Sequence, residues 1–242
     1  MRIISWNCNM AFRKKAGTIL QYKPDILVVI ECEHPDKLVN TDTHRPKDQL
    51  WFGKNQHKGL AVFSYCNYRF RVHETYNDQF QMIVPLEVTG KSFRFNLFIV
   101  WAYNPDDADG RYVTQVWKAV NYYEKLLADQ PAILIGDFNS NAIWDRKNAV
   151  HGSHSLVVSK LASHHIHSVY HHHYDQLPGT EHHPTFYLYR HKDKPYHLDY
   201  CFASDSLLRK LESVEIGDYD AWTKHSDHVP VMVAFGKRKR KK

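Results

Sequence analysis

The stretch Ala132-Ile-Leu-Ile-Gly-Asp-Phe-Asn139 constrains this chain more than any other. A short apolar run after Pro131 predicts a buried strand. It stops at a glycine, and two polar residues follow with one residue between them. Side chains two apart on an extended chain point the same way, so Asp137 and Asn139 are expected to leave the strand end side by side. A carboxylate and an amide placed there can hold a water, a metal-bound group or a phosphate oxygen. Standing alone, the same residues would read as a strand closed by an Asp/Asn turn.

The rest of the chain repeats the pattern. Arg2–Trp6 is a starting strand that ends in Asn7-Cys-Asn9. Phe12–Tyr22 predicts a short helix closed by Lys23-Pro24. Asp25–Ile30 is continuous and rich in β-formers, as suits a strand covered on both faces, and it ends in Glu31. Residues 33–50 are polar and read as a surface loop. Four antiparallel-looking strands follow, Gly59–Tyr65, Tyr68–Glu74, Gln81–Val88 and Phe93–Trp101, with a hairpin turn at Thr89-Gly90-Lys91. The last runs into Trp101-Ala-Tyr-Asn-Pro105 and an acidic turn, Asp106–Asp109. Arg111–Leu127 predicts a helix with Val113, Val116, Trp117, Val120, Tyr123 and Leu127 on one face. Beyond Asn139 the chain is irregular, and ten of its 18 histidines lie between His151 and His183. Leu156–Ala162 suggests a helix there. Thr185–Tyr189 and His197–Phe202 suggest a strand pair around Lys192-Asp-Lys-Pro195. Alternation in the second puts Leu198, Tyr200 and Phe202 on one face and His197 and Asp199 on the other. Burying Asp199 is costly unless it has a partner. Finally, Lys224-His-Ser-Asp-His228 immediately precedes a strand, Val229–Phe235.

Composition narrows the class. The 242 residues include 15 tyrosines, 12 phenylalanines and 6 tryptophans, the content of a globular chain. No Gly/Ser linker divides residues 1–236, so one domain is expected, followed by a basic tail at 237–242. Met1–Trp6 lacks the apolar stretch of a secretory leader, and runs such as Ile26–Ile30 are too short to cross a bilayer. Cys8, Cys32, Cys66 and Cys201 are scattered and sit in apolar context, which suits reduced core residues of a cytoplasmic protein. The formal charge of +6 belongs to the tail: Lys237–Lys242 holds six of the 32 bases and none of the 26 acids, so the body is 26 against 26. Such a tail is either an electrostatic hook for polyphosphate or a solubilising terminus.

Collected, the polar outliers at strand ends are Asn7, Glu31, Tyr103, Asp137, Asn139, Asp199, Asp227 and His228. Carboxylates with a histidine are what phosphodiester hydrolysis needs. One or two acids hold Mg²⁺, which keeps waters for exchange with phosphate oxygens. The metal and a cationic donor offset charge growing on the phosphoryl group. Another acid orients or deprotonates the attacking water. An acid behind the histidine fixes its tautomer and keeps it protonated.

The order Ser5-Trp-Asn7, Ile30-Glu31, Ala102-Tyr103-x-Pro105, Gly136-Asp-Phe-Asn139, Leu198-Asp199-Tyr200 and Ser226-Asp-His228 resembles the endonuclease/exonuclease/phosphatase superfamily, over nearly the whole chain. Its motifs look most like the exonuclease III and abasic-site endonuclease branch. The resemblance implies an α/β fold of the deoxyribonuclease-I type, a four-layer sandwich of two packed mixed β-sheets flanked by helices. It implies Mg²⁺ (or Mn²⁺) held by Glu31 with Asn7 and Asp227 in or next to its shell. Asp137 would position and activate water, helped by Asn139. His228, backed by Asp199, would contact the scissile phosphate, and Tyr103 would bind phosphate or assist the leaving oxygen. Phe186, Tyr196 and Leu198 fall where the abasic-site enzymes build an apolar pocket.

Several positions depart from that branch. Asn9 stands where an aspartate is usual, Asp106 where a phosphate-contacting asparagine is usual, and Tyr196 where a tryptophan is usual. Residues 104–111 and 140–155 are short for segments that grip duplex DNA. The expected function is a metal-dependent nuclease, with DNA as partner, acting as a monomer and off the membrane. A phosphatase or phosphodiesterase acting on a small or lipid phosphoester, and a non-catalytic nucleic-acid-binding module, remain open alternatives. The histidine-rich stretch is expected to be a solvated surface, with a second metal such as Zn²⁺ and a phosphate-holding role as alternatives.

Overall fold

The apolar runs become strands covered on both faces. The structure, a computed structural model, describes residues 1–38, 45–91, 93–103, 112–146 and 152–236. Its strands are β1 (Arg2–Asn7), β2 (Ile26–Cys32), β3 (Asp48–Asn55), β4 (Lys58–Ser64), β5 (Arg69–Val72), β6 (Ile83–Thr89) and β7 (Arg94–Trp101). These are followed by β8 (Ala132–Asp137), β9 (Ile166–Ser168), β10 (Phe186–Tyr187), β11 (Pro195–Tyr196), β12 (Asp199–Ser204), β13 (Leu211–Ile216) and β14 (Val231–Phe235). Two six-stranded sheets result, in the orders β13-β14-β1-β2-β4-β3 and β5-β6-β7-β8-β12-β9. Each is mixed, with one parallel pair, β1 with β2 and β7 with β8.

Period-two alternation sorts the side chains into layers. Ile133 and Ile135 point inward with Leu97 and Ile99, and meet Ile3, Ile26, Val28 and Ile30 of the facing sheet. Ala132 and Leu134 point outward beneath Val116, Val120, Val157 and Leu161 of helices Val113–Tyr122 and His154–Ser163. On the far side, Ile4, Trp6, Leu27 and Val29 are covered by Phe12, Ile19 and Trp222. The layers are helix, sheet, sheet, helix, as expected of a four-layer α/β sandwich. Cys8, Cys32 and Cys201 are buried, and all four cysteines are free thiols.

Several elements differ from the sequence reading. Residues 33–50 are not all loop, because β3 begins at Asp48. Its polar ends hid it, and polar residues suit its place at a sheet edge. The predicted helix Phe12–Tyr22 is a 3₁₀ turn (Phe12–Lys14) and a short helix (Ala16–Leu20), separated by Lys15 at φ −123°. There Lys15 Nζ donates to the carbonyls of Cys8 (2.6 Å) and Asn9 (3.2 Å). The helix predicted to reach Leu127 breaks at Tyr123, whose ring is buried and whose hydroxyl accepts from Asn77 N, and restarts as Glu124–Asp129. The Thr185–Tyr189 segment does not pair with His197–Phe202. Its short strand β10 pairs with β11, while β12, apolar on both faces, takes an interior place between β8 and β9. Pro105, the acidic turn at 106–109 and the basic tail lie outside the described residues. Among the described residues, no helix is long and apolar enough to cross a membrane.

Candidate active site

Sheet topology gathers the polar strand ends. A parallel strand ends where its antiparallel neighbour begins. Thus Asp137 closes β8 directly opposite Asp199, which opens β12. Asn7 closes β1, with Glu31 near the end of its parallel neighbour β2. Asp227 and His228 lead into β14, antiparallel to β1. Local backbone then aims the groups. Gly136 has φ +146°, and a Cβ there would collide with the Val100 carbonyl, so the strand can pack tightly just before Asp137 only with glycine. Glu31 sits at a bulge where the β2–β4 register shifts, with φ 60°. Asn9 and Asn139 also have positive φ (50° and 45°). Non-glycine residues held there mark a site whose surroundings fix them.

Hydrogen bonds tie most of the groups together in small sets. Asp137 Oδ1 accepts from Asn139 N (2.9 Å), and its Oδ2 accepts from Asn7 Nδ2 (3.1 Å) and Asn139 Nδ2 (3.2 Å). His228 Nδ1 lies 2.8 Å from Asp199 Oδ2, and its Nε2 is 3.9 Å from Asp137 Oδ2. Asn9 N donates to Asn7 Oδ1 (3.1 Å) and Asn9 Nδ2 to Asp227 Oδ1 (3.0 Å). Trp6 Nε1 donates to the His228 carbonyl, and Ser226 Oγ to the Asn7 carbonyl, which stitches the end of β1 to the Ser226–His228 segment. Glu31 Oε2 lies 3.1 Å from Lys58 Nζ.

Burial sets the electrostatics. Burial pushes the Asp137 carboxyl up to about 7; the nearby His228 opposes this and Asp199 adds to it. For His228, burial alone would lower the pKa, but the carboxylates of Asp199 and Asp137 outweigh it and lift the imidazole to about 10. A raised pKa favours the imidazolium, a hydrogen-bond donor held against Asp199. Asp199 Oδ1 is buried with no partner.

A family model for the endonuclease/exonuclease/phosphatase family matches residues 4–228. The chain belongs to the endonuclease/exonuclease/phosphatase family. Solved structures of similar fold include a 3'-5' exonuclease (NExo) from Neisseria meningitidis, 19% identical over 98% of this chain and 100% of that one, at a TM-score of 0.73. A 3' phosphatase NExo structure from Neisseria bound to product DNA hairpin aligns at 0.72, with 19% identity over 98% of this chain and 100% of the other. An AP endonuclease from Archaeoglobus fulgidus aligns at 0.72, with 18% identity over 97% and 99%. Curated protein sequences give no match.

For this family member the donor chemistry fits a hard divalent cation. Glu31, Asp227 and Asn7 offer oxygens, the ligands Mg²⁺ prefers. Burial, with the Asp199 carboxylate adding to it, raises the Asp137 carboxyl, and the Lys58 ammonium stands against Glu31. Among the described residues, one trio of potential ligand atoms lies mutually within 4.8 Å, those of Asp137, Asp199 and His228. The imidazolium already neutralises that trio in part. Glu31 lies outside it, one strand beyond Asn7.

The remaining expected residues sit around this centre. Tyr103 is exposed, its ring edge-on to Trp101 at 5.3 Å, and Lys58 Nζ lies 5.2 Å from the Trp101 ring centroid. The Phe186 ring is 4.6 Å from His228 and 6.3 Å from Tyr196, onto which it stacks. Leu198 is buried. Sequence reasoning missed Lys58, which carries no motif. It also missed Thr185, whose buried Oγ1 accepts from both Leu198 N and Asp199 N at 2.9 Å and so fixes where β12 begins.

Among the described histidines of the 151–183 stretch, His165, His172, His173 and His182 are exposed, as a solvated surface requires, but His154 is buried. With the buried His197, which lies outside the stretch, it flanks the Tyr200 ring, with centroids at 4.7 and 4.8 Å. His171 pairs with Glu181 at 3.0 Å, and Asn141 Nδ2 donates to Glu181, to Tyr200 Oη and to the His197 carbonyl. Burial lowers His154 and His197 to about 4, so both are neutral. They form a packed polar layer, and among the described residues none of these histidines joins a three-ligand group.

Proposed function

We propose that the protein is a Mg²⁺- or Mn²⁺-dependent phosphodiester hydrolase acting on nucleic acid, DNA in the first instance. One observation carries this reading: the hydrogen-bonded set Asp137, Asn139 and Asn7 and the hydrogen-bonded pair Asp199–His228 face each other with His228 Nε2 3.9 Å from Asp137 Oδ2, although the chain brings them from both sheets. Glu31, with Asn7 and Asp227, would hold the cation, which when bound supplies Lewis-acid stabilisation of the phosphoryl oxygens. Asp137, oriented by Asn7 and Asn139, positions a water and accepts its proton. The His228 imidazolium, kept charged by Asp199, donates from Nε2 to a non-bridging phosphate oxygen as negative charge builds there. Tyr103 stands at the rim to meet the phosphate or the leaving oxygen. Asn9 joins Asp227 to Asn7, and a neutral amide at that position lowers the negative charge around the cation.

The test is cleavage of an end-labelled oligonucleotide with Mg²⁺, with Mn²⁺ and with excess chelator. Turnover that persists in chelator, or in Asp137→Ala, would remove this mechanism. A second reading is a phosphomonoesterase on a DNA 3' end, favoured because one structure of similar fold is described as a 3' phosphatase. A 3'-phosphorylated oligonucleotide separates the two. Inorganic phosphate without chain shortening indicates the monoesterase, and shortened products the nuclease.

A further inference from the structure

Three rings step outward from the phosphate-facing imidazole. Phe186 lies 4.6 Å from His228, Tyr196 stacks on Phe186 at 6.3 Å with 29° between planes, and Trp144 lies on Tyr196 at 5.1 Å and 42°. Trp144 is 49% exposed and its neighbour Ile143 is 54% exposed. Water is a poor solvent for both, yet the turn that displays them is rigidly made. Ala142–Trp144 is one 3₁₀ turn capped by Asn141, whose Oδ1 accepts from Ile143 N. That asparagine is itself buried, its amide donating to three groups of the histidine layer. On the other side of the turn, the Asp145 carboxylate accepts from His154 N and Ser155 N. An exposed indole on so fixed a base is preorganised for contact.

We propose that Phe186, Tyr196 and Trp144 form a stacking platform for unpaired bases next to the reacting phosphate, so that the substrate is a single-stranded or frayed strand. Within a duplex each base face is covered by its neighbours, whereas an unpaired base offers a free face to an aromatic ring whatever its identity. The series is continuous with the catalytic cluster, which fixes where along the strand those bases lie. This inference rests on the hydrolase reading for its phosphate, but not for its binding energy.

Binding is therefore measured in chelator, by fluorescence anisotropy of the full chain with labelled oligo-dT, oligo-rU, a blunt DNA hairpin and the same hairpin with an unpaired 3' extension. Trp144→Leu is expected to weaken binding of oligo-dT and of the extended hairpin about tenfold and to leave the blunt hairpin unchanged, while Trp144→Phe keeps most of the affinity. Matching losses on oligo-rU extend the platform to RNA; a loss on oligo-dT alone assigns it to DNA. Equal behaviour of the Leu and Phe variants would overturn stacking, and so would an equal loss on blunt and extended hairpins. Separately, wild-type hydrolysis of bis(p-nitrophenyl) phosphate with Mn²⁺ tests the chemistry without a base to stack. Its absence, together with no metal-dependent turnover of the end-labelled or 3'-phosphorylated oligonucleotide, would sink the hydrolase reading and leave the platform to stand or fall on the binding data.

Discussion

His228 and His197 are both buried histidines, yet their surroundings favour the cationic ring in one and the neutral ring in the other. Nδ1 of His228 meets the Asp199 carboxylate at 2.8 Å, and the ring is lifted to about 10. Nδ1 of His197 meets the His183 carbonyl at 2.7 Å, and burial drives that ring down to about 4. A carbonyl fixes a tautomer, whereas a carboxylate also retains a proton. The difference between a reactive centre and a packed layer lies in the partner, not in the histidine.

The largest expected effect sets the two regions apart by activity. Asp137→Ala or His228→Ala should lower kcat on an oligonucleotide by about 10²- to 10⁴-fold. His197→Asn, which touches only the packed layer, should stay within about tenfold of wild type, the loss tracking stability. Single-turnover kinetics with saturating Mg²⁺ would check this. If His197→Asn lost as much as His228→Ala, the division between the regions would fail.

The second effect separates them by pH. His154 and His197 have folded pKa values lowered from 6.5 to about 4. Between those values the unfolded chain binds protons that the folded chain refuses. Their stabilising contribution is complete above the unfolded value and is lost as pH falls toward the folded one. The expected loss is about 1.4 kcal/mol per pH unit for each group. Urea melts at about pH 7 and about pH 5 should show the fall, and His154→Asn should shrink it. An unchanged difference would show that water already reaches the layer.

How much of this was readable in advance follows from the same contrast. Strand ends delivering Asn7, Glu31, Asp137, Asp199 and His228 were legible because apolar runs end abruptly in polar residues. Strands covered on both faces followed from runs such as Ala132–Ile135, and their packing into two sheets from the family resemblance. The histidine layer was not legible, because burial of His154 and His197 is decided by Asn141, Glu181 and Tyr200, far off in sequence. Lys58 was silent for the same reason, since only the β2 bulge turns Glu31 toward it. Strand β3 was lost because an edge strand has no need of an apolar pattern.

A third prediction isolates the buried carboxyl of Asp137. The folded pKa of Asp137 is raised from 3.8 to about 7. Its contribution is therefore fully present below the unfolded value and lost as pH rises through the folded one. Asp137→Asn in metal-free protein should raise stability by about 2 kcal/mol near pH 8, with the gain fading in acid. Equal melts of wild type and variant at both pH values would show that His228 already compensates Asp137 in full. No comparable gain is expected from neutralising the packed layer, where Glu181 is held well below the usual carboxylate range, to about 2; burial opposes this, but the His171 contact and the bonds from Gly179 and Asn141 outweigh it.

The smallest effect concerns the cation that the chain itself brings to the site. Lys58 Nζ lies 3.1 Å from Glu31 Oε2, over the Trp101 ring, and its side chain is 37% exposed. A half-exposed ion pair of this kind is worth little in stability, so Lys58→Met should leave the melting temperature nearly unchanged. Its consequence lies in competition: an ammonium and a divalent ion both draw on the same carboxylate oxygens. Removing the ammonium should lower the half-saturating Mn²⁺ concentration by about two- to fivefold, read by the loss of the free-ion spin-resonance signal as well as by turnover. If the variant instead needed more Mn²⁺, Lys58 would be holding Glu31 in position for the metal rather than standing in its place. The same substitution strategy has no counterpart in the histidine layer, where Glu181 is satisfied by His171, Asn141 and the Gly179 amide and has no ion to exchange.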